Sequence, residues 1–219
     1  MVGHGAGSRR ASHDEFCRAA CAGGFAVLAV DLRGHGESAG CADGPLELDL
    51  IAAAQHLRSR PEVDGERLCY RGSSMGGFYG LRAAVAAGFS ALALLCPASE
   101  QVILDAIDER ERDAERGDDA ATDGPTRWDG PALRRYCHAQ DSVREAALIR
   151  CPVLLIHARD DDVVPFGHSL RLMEALATEA TLLALPGGSH TSAQHDPHVH
   201  RMTVRWLWEH VPDETVAGP

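Results

Sequence analysis

Short apolar runs of strand length alternate with stretches of helical periodicity along most of the 219-residue chain, and that alternation restricts it to the α/β class. Residues 25–32 (FAVLAVDL) form a nearly continuous apolar run, as expected of a strand covered on both faces. Residues 12–22 read as a helix, with Ser12 and Glu15 spaced as a capping box and Gly23 as its left-handed stop. From 45 to 60, Leu46, Leu50, Ala53, Ala54 and Leu57 share one helical face behind Pro45. The pattern then repeats: strand 67–71, helix 75–87 ended by Gly88, strand 91–96, strand 153–157, helix 168–177 and strand 181–185. A last helix runs from Asp196-Pro197 to about His210. Strands connected through helices imply right-handed crossovers and a mostly parallel sheet with helices on both faces.

The length suits a single domain over 1–219. Residues 97–140 contain no strand pattern, and 99–140 read as a small insertion. Eleven of the fifteen residues from 105 to 119 are charged, which suits a solvated surface helix, with a small lid as the sharper alternative. Gly117-Asp118-Asp119 and Gly124-Pro125 are the breakers expected to turn this excursion back toward the sheet near Asp141.

No apolar run is long enough to cross a bilayer, and a net charge of -11 without a basic cluster argues against nucleic acid as a partner. The seven cysteines are an odd number with no CxxC pair, and no signal-peptide pattern opens the chain, so the expected location is the cytoplasm. Cys17 and Cys21 share a helical face but have no further ligands nearby, which favours packing over metal binding. His190, His195, His198 and His200 cluster within eleven residues, yet His198 and His200 stand only two apart on a helix and point to different faces. The expectation from these spacings is no metal site.

Gly72-Ser73-Ser74-Met75-Gly76 is a G-x-S-x-G motif between an expected strand and an expected helix. A serine hydroxyl is a weak nucleophile and must be presented on a tight turn, which glycines on both sides permit. Ser74 has those glycines and Ser73 does not. Farther on, the three carboxylates of Asp160, Asp161 and Asp162 follow strand 153–157, and His190 follows strand 181–185. Ser, Asp and His each just past a strand end reproduce the chain order of one class of serine hydrolase.

With these motifs, together with His4-Gly5-Ala6-Gly7, DLRGHGES at 31–38 and ARDDDVVP ending at Pro165, the chain resembles the α/β-hydrolase superfamily over nearly its whole length, in particular serine-aminopeptidase-like and dienelactone-hydrolase-like esterases. The resemblance implies that the acid lies four residues before Pro165, selecting Asp161, although Ala158 replaces the family's usual glycine. It further implies that Ser74 attacks a carbonyl, His190 moves the proton and Asp161 orients the imidazole, with the Met75 and Ala6 N–H groups forming the oxyanion hole. That mechanism needs no metal and no organic cofactor, and His4 and His35 then read as loop-bracing residues.

A serine nucleophile excludes the haloalkane dehalogenases and epoxide hydrolases of this fold, which use aspartate. Ester hydrolysis of a small acyl substrate leads, while thioesterase, acyltransferase, peptidase and cofactor-free haloperoxidase use the same three residues. A non-catalytic scaffold acting as a binding module is the rival from another class. Its support is that only Met1, Val2 and Gly3 precede His4, where the superfamily places an inner strand, so the N-terminal strands are expected to be missing and the natural product to begin upstream of Met1.

Overall fold

Residues 1–117 and 126–211 are described by the computed structural model. In chain order, β1 is Val2–Gly3, and a 3₁₀ turn at Arg10–His13 leads into α1, Asp14–Ala22. Next come β2 (Ala29–Val30), α2 (Glu47–Arg58), β3 (Cys69–Ser73), α3 (Met75–Ala87) and β4 (Ala91–Leu95). Then follow α4 (Glu100–Arg116), α5 (Gly130–His138), α6 (Ser142–Ala146), β5 (Val153–Ala158) and α7 (Phe166–Ala175). The chain continues through β6 (Ala180–Leu185), α8 (Ser192–His195) and α9 (Pro197–His210). Among the described residues no helix is long and apolar enough to cross a membrane.

Among the described residues six strands form one parallel sheet, in the order β2-β1-β3-β4-β5-β6. Successive side chains of a strand point to opposite faces, and β4 divides its residues accordingly. Leu92 and Leu94 pack into the core shared with Leu50 of α2 and Phe78 of α3, while Ala91, Ala93 and Leu95 join Val199 and Leu207 of α9. Both faces are thus covered, as an all-parallel sheet requires.

Where the sequence led us to expect no inner strand, Val2 and Gly3 supply two residues of one. They pair with Ala29 and Val30 on one side and with Arg71 and Gly72 on the other. The apolar run 25–32 forms a ladder only at Ala29–Val30, because its neighbour is itself two residues long. The start of α1 also differs from expectation. Ser12 lies inside the 3₁₀ turn, His13 is the N-cap without a side-chain cap bond, and Gly23 has φ -78, so it is no left-handed stop. Gly23 is required by packing instead: a β-carbon there would lie 2.5 Å from Val204 Cγ1 of α9. The turn expected at Asp118, Asp119, Gly124 and Pro125 lies outside the described residues.

From β1 the chain crosses by α1 to β2 on one side, and from β3 it crosses by α3 to β4 on the other. The crevice between the ends of β1 and β3 is therefore the topological switch point, where open parallel sheets bind their ligands.

Candidate active site

Ser74 occupies the turn between β3 and α3 with φ 49 and ψ -114. A non-glycine residue held there costs on the order of 1–3 kcal/mol, which surrounding contacts must impose. The Ser74 N–H donates to Leu95 O at 2.9 Å, and the Ser74 carbonyl accepts from Phe78 N at 3.0 Å and Ala98 N at 3.1 Å. The flanking glycines are steric necessities. A β-carbon on Gly72 would lie 2.6 Å from Gly76 O, and one on Gly76 would lie 2.5 Å from Gly3 O and 2.7 Å from His4 O. Ser74 is half-buried, whereas Ser73 is buried on β3.

The other two expected residues meet across the ends of β5 and β6. His190 Nδ1 lies 2.8 Å from Asp161 Oδ2 and 3.2 Å from Oδ1. Asp161 Oδ1 also accepts from the N–H groups of Val163 at 2.9 Å and Val164 at 2.8 Å, and its side chain is fully buried. Burial alone would raise its pKa, but bonds from His157 and His190, and then from Val164 and Val163, outweigh burial and hold it well below the usual carboxylate range. A carboxylate only accepts, so the neutral His190 ring carries its proton on Nδ1 and leaves Nε2 as an acceptor. The flanking acids secure the histidine loop: Asp160 Oδ1 accepts from Gly188 N at 2.7 Å, and Asp162 Oδ1 from His190 N at 3.3 Å.

Met75 is the first residue of α3, where the N–H has no partner within the helix. Ala6 stands in the loop after β1, which passes so close to the serine that a β-carbon on Gly5 would lie 3.5 Å from Ser74 Cβ. His4 braces this loop by donating from Nδ1 to Gly5 O at 2.7 Å and accepting at Nε2 from Leu32 N at 3.0 Å. Burial lowers the His4 pKa to about 4 and keeps the ring neutral for both bonds. His35 donates from Nδ1 to Arg33 O at 3.1 Å, and its ring centroid is 4.9 Å from that of His4.

Ser74, Met75 and Ala6 line one cavity of about 640 Å³, roofed by Val102, Ile103, Ala106 and Ile107 of α4, with Trp128 beside them. Glu109, Arg110 and Asp113 of α4 also line this cavity, whereas Asp108 and Glu111 pair with Arg134 of α5 at 2.6 and 2.8 Å. The segment after α4 is strapped to the loop around residues 34–42, with Arg127 N donating to Gly34 O at 2.7 Å and Ala42 N to Arg127 O at 2.9 Å. A smaller cavity of about 250 Å³, among Phe16, Phe25, Leu68 and Leu207, contains none of the expected site residues.

Among the described residues, one group of three holds metal-binding atoms within 4.8 Å of one another: Cys96, Asp161 and His190. It contains the Asp–His pair and, of the histidine run, His190 alone; His200 is committed to Gln194 O at 2.7 Å. Burial pushes the Cys96 thiol up to about 12. Sequence reasoning passed over Cys96, His157 and the apolar face of α4. For α4 the signal was present as Val102, Ile103, Ala106 and Ile107 at helical spacing, hidden by the surrounding charge.

A family model described as the prolyl oligopeptidase family matches residues 43–214. The alpha/beta hydrolase domain-containing protein aho-3 of Caenorhabditis elegans is 27% identical over 178 residues, covering 80% of this chain and 47% of its own. The chain spans about half the length of the curated relatives it matches. A monoacylglycerol lipase from Paleococcus ferrophilus has a similar structure, with 22% identity, a TM-score of 0.72, and coverage of 95% of this chain and 93% of that one. Est1E from Butyrivibrio proteoclasticus, solved with ferulic acid, gives 22% identity, a TM-score of 0.73, and coverage of 95% and 85%. These likenesses establish the α/β-hydrolase fold.

Proposed function

The chain belongs to the prolyl oligopeptidase family, and from that premise we propose that it is a serine hydrolase that cleaves a carboxylic ester of a small molecule through an acyl-enzyme. The observation that carries this reading is the Asp161–His190 pair, with His190 Nδ1 held 2.8 Å from Asp161 Oδ2, in a chain that also presents a strained, glycine-flanked Ser74 on the turn after β3. His190 Nε2 takes the Ser74 proton as the hydroxyl attacks the ester carbonyl, and returns it to the leaving alcohol. Asp161 holds the ring and stabilises the imidazolium. The Met75 and Ala6 N–H groups receive the developing oxyanion, each typically worth about 3–4 kcal/mol in such sites. Water then releases the acid by the same route in reverse.

The apolar wall of α4 supports an acyl group of modest size lying against Val102, Ile103 and Ile107. Seven free thiols support a reducing compartment such as the cytoplasm. Amide cleavage is the second reading, favoured by the description of the matched family. Paired ester and peptide substrates, assayed with the wild-type chain and Ser74→Ala, separate the two. Ester turnover that disappears in the variant is the expected result. A binding module would turn over neither substrate.

A further inference from the structure

Asp161 is approached by two histidines, and only one of them, His190, has a part in the proposed reaction. The second is His157 in β5, four residues earlier, fully buried, with Nε2 3.3 Å from Asp161 Oδ2 and 3.0 Å from Val164 O. Its Nδ1 lies 2.7 Å from Ser169 Oγ of α7. The Phe166 ring meets it edge-on at 5.5 Å between centroids.

These contacts determine where the proton of the neutral ring sits. Val164 O and Asp161 Oδ2 can only accept, so Nε2 must carry the hydrogen, and Nδ1 accepts from the Ser169 hydroxyl. The opposite tautomer would aim a lone pair at two oxygens inside a dry core, at the cost of an unmade buried hydrogen bond. Val164 O and Asp161 Oδ2 therefore select the tautomer of His157, the Ser169 hydroxyl satisfies Nδ1 by donating to it, and Nε2–H donates to Val164 O while lying 3.3 Å from the carboxylate oxygen that also receives His190.

We propose that His157, anchored at Nδ1 by Ser169 and at Nε2 by Val164 O, is a positioning residue for the catalytic acid, fixing Asp161 Oδ2 so that His190 is held with Nε2 toward Ser74. This deepens the serine-hydrolase reading and rests on it. The same contact lowers the basicity of Asp161. The remaining groups around this pair are the Cys96 thiol just past β4, Asp160 and Asp162 on the loop after β5, which accept from the His190 loop, and His168 of α7, lowered by burial to about 4. Arg159 faces Phe166 rather than the acid, with its guanidinium 5.1 Å from the ring centroid.

The test uses the whole chain and a small chromogenic ester, comparing His157→Leu, His157→Gln and Ser169→Ala over a full pH range. Ser74→Ala and His190→Ala serve as controls. Leucine removes the donor, and glutamine keeps an N–H near the Nε2 position. In the His157→Leu variant, kcat should fall about ten- to a hundredfold, the range for a lost hydrogen bond to a charged group, with KM little changed. The acid limb of kcat/KM should move to higher pH, because a more basic Asp161 holds the imidazolium more tightly. Glutamine should restore most of the rate and the limb. Ser169→Ala should shift the limb in the same direction by less, and it carries the test if the leucine variant fails to fold.

Wild-type kcat and an unmoved limb in His157→Leu, or in Ser169→Ala where that arm decides, overturn the positioning role while Ser74→Ala remains inactive. If Ser74→Ala retains activity, the underlying reading has failed and takes the proposal with it, a result the serine control makes separately visible.

Discussion

Gly76, in the first turn of α3, lies against the backbone of β1 so closely that a β-carbon would stand 2.5 Å from the carbonyl oxygen of Gly3. The contact joins the Ser74 turn to the strand whose loop carries Ala6. Any side chain at 76 must therefore push the two halves of the proposed oxyanion hole apart.

Gly76→Ala is accordingly expected to lose activity and stability together. Overpacking of this kind typically costs about 1–3 kcal/mol, and a displaced oxyanion donor costs on the order of a hundredfold or more in kcat. Urea denaturation and ester turnover on the same preparation check both. Unchanged kcat in a folded Gly76→Ala variant would show that the contact between α3 and β1 does not govern the site.

Stability should fall steeply in mild acid. Burial lowers His4 and His168 to about 4 and His13 to about 2, against an ordinary 6.5. The unfolded chain binds these protons below pH 6.5 while the folded chain refuses them. Stability is thus fully present above 6.5 and is lost as pH falls through the window down to about 4. Each histidine contributes a slope of about 1.4 kcal/mol per pH unit within its window. Three together are comparable to the roughly 5–15 kcal/mol stability of a typical domain. Urea midpoints at pH 7.5, 6 and 5 should drop in sequence, and His168→Gln should flatten the slope by up to one proton. A constant midpoint down to pH 5 would contradict the buried, neutral assignments.

The roof of α4 should set acyl length. Ile103 lines the 640 Å³ cavity beside Val102 and Ile107, so Ile103→Trp fills space that longer chains need. Turnover of a p-nitrophenyl ester series should then keep acetate and lose the longer acyl groups, mainly through KM. A uniform loss across the series would place the acyl group elsewhere.

Much of this architecture was readable because its signals are local. Gly88 does end α3 in a left-handed conformation, and Asp196 before Pro197 does cap α9, its carboxylate accepting from His198 N at 2.7 Å. The family resemblance, through the distance of Asp161 from Pro165, selected among three adjacent carboxylates the one that lies 2.8 Å from His190. What stayed hidden depends on distant partners. The apolar run 25–32 does not reveal that only Ala29 and Val30 find a neighbour, since that is set by Val2 and Gly3. His157 reads as one polar residue in a buried strand until Val164, Ser169 and Asp161 are brought around it. The charge of α4 concealed its apolar face, because composition averages over a helix whose two sides meet different surroundings.

Ester turnover should be insensitive to chelation, since the proposed charge stabilisation comes from backbone N–H groups and the Asp–His pair. Full activity after exhaustive EDTA treatment is expected. Loss with EDTA and recovery with zinc would instead assign a metal to Cys96, Asp161 and His190, the group whose binding atoms lie within 4.8 Å of one another.

The central claim is that Ser74 carries the acyl group, and trapping that intermediate tests it most directly. The protein would be treated with an activated phosphonate ester, and its intact mass and peptide masses measured, with Ser74→Ala in parallel. The expected result is one phosphonyl adduct per chain, located on Ser74, absent from the variant, and formed in step with the loss of ester hydrolysis. An unmodified Ser74 in protein that still hydrolyses esters, or a stoichiometric adduct on another residue, would contradict it.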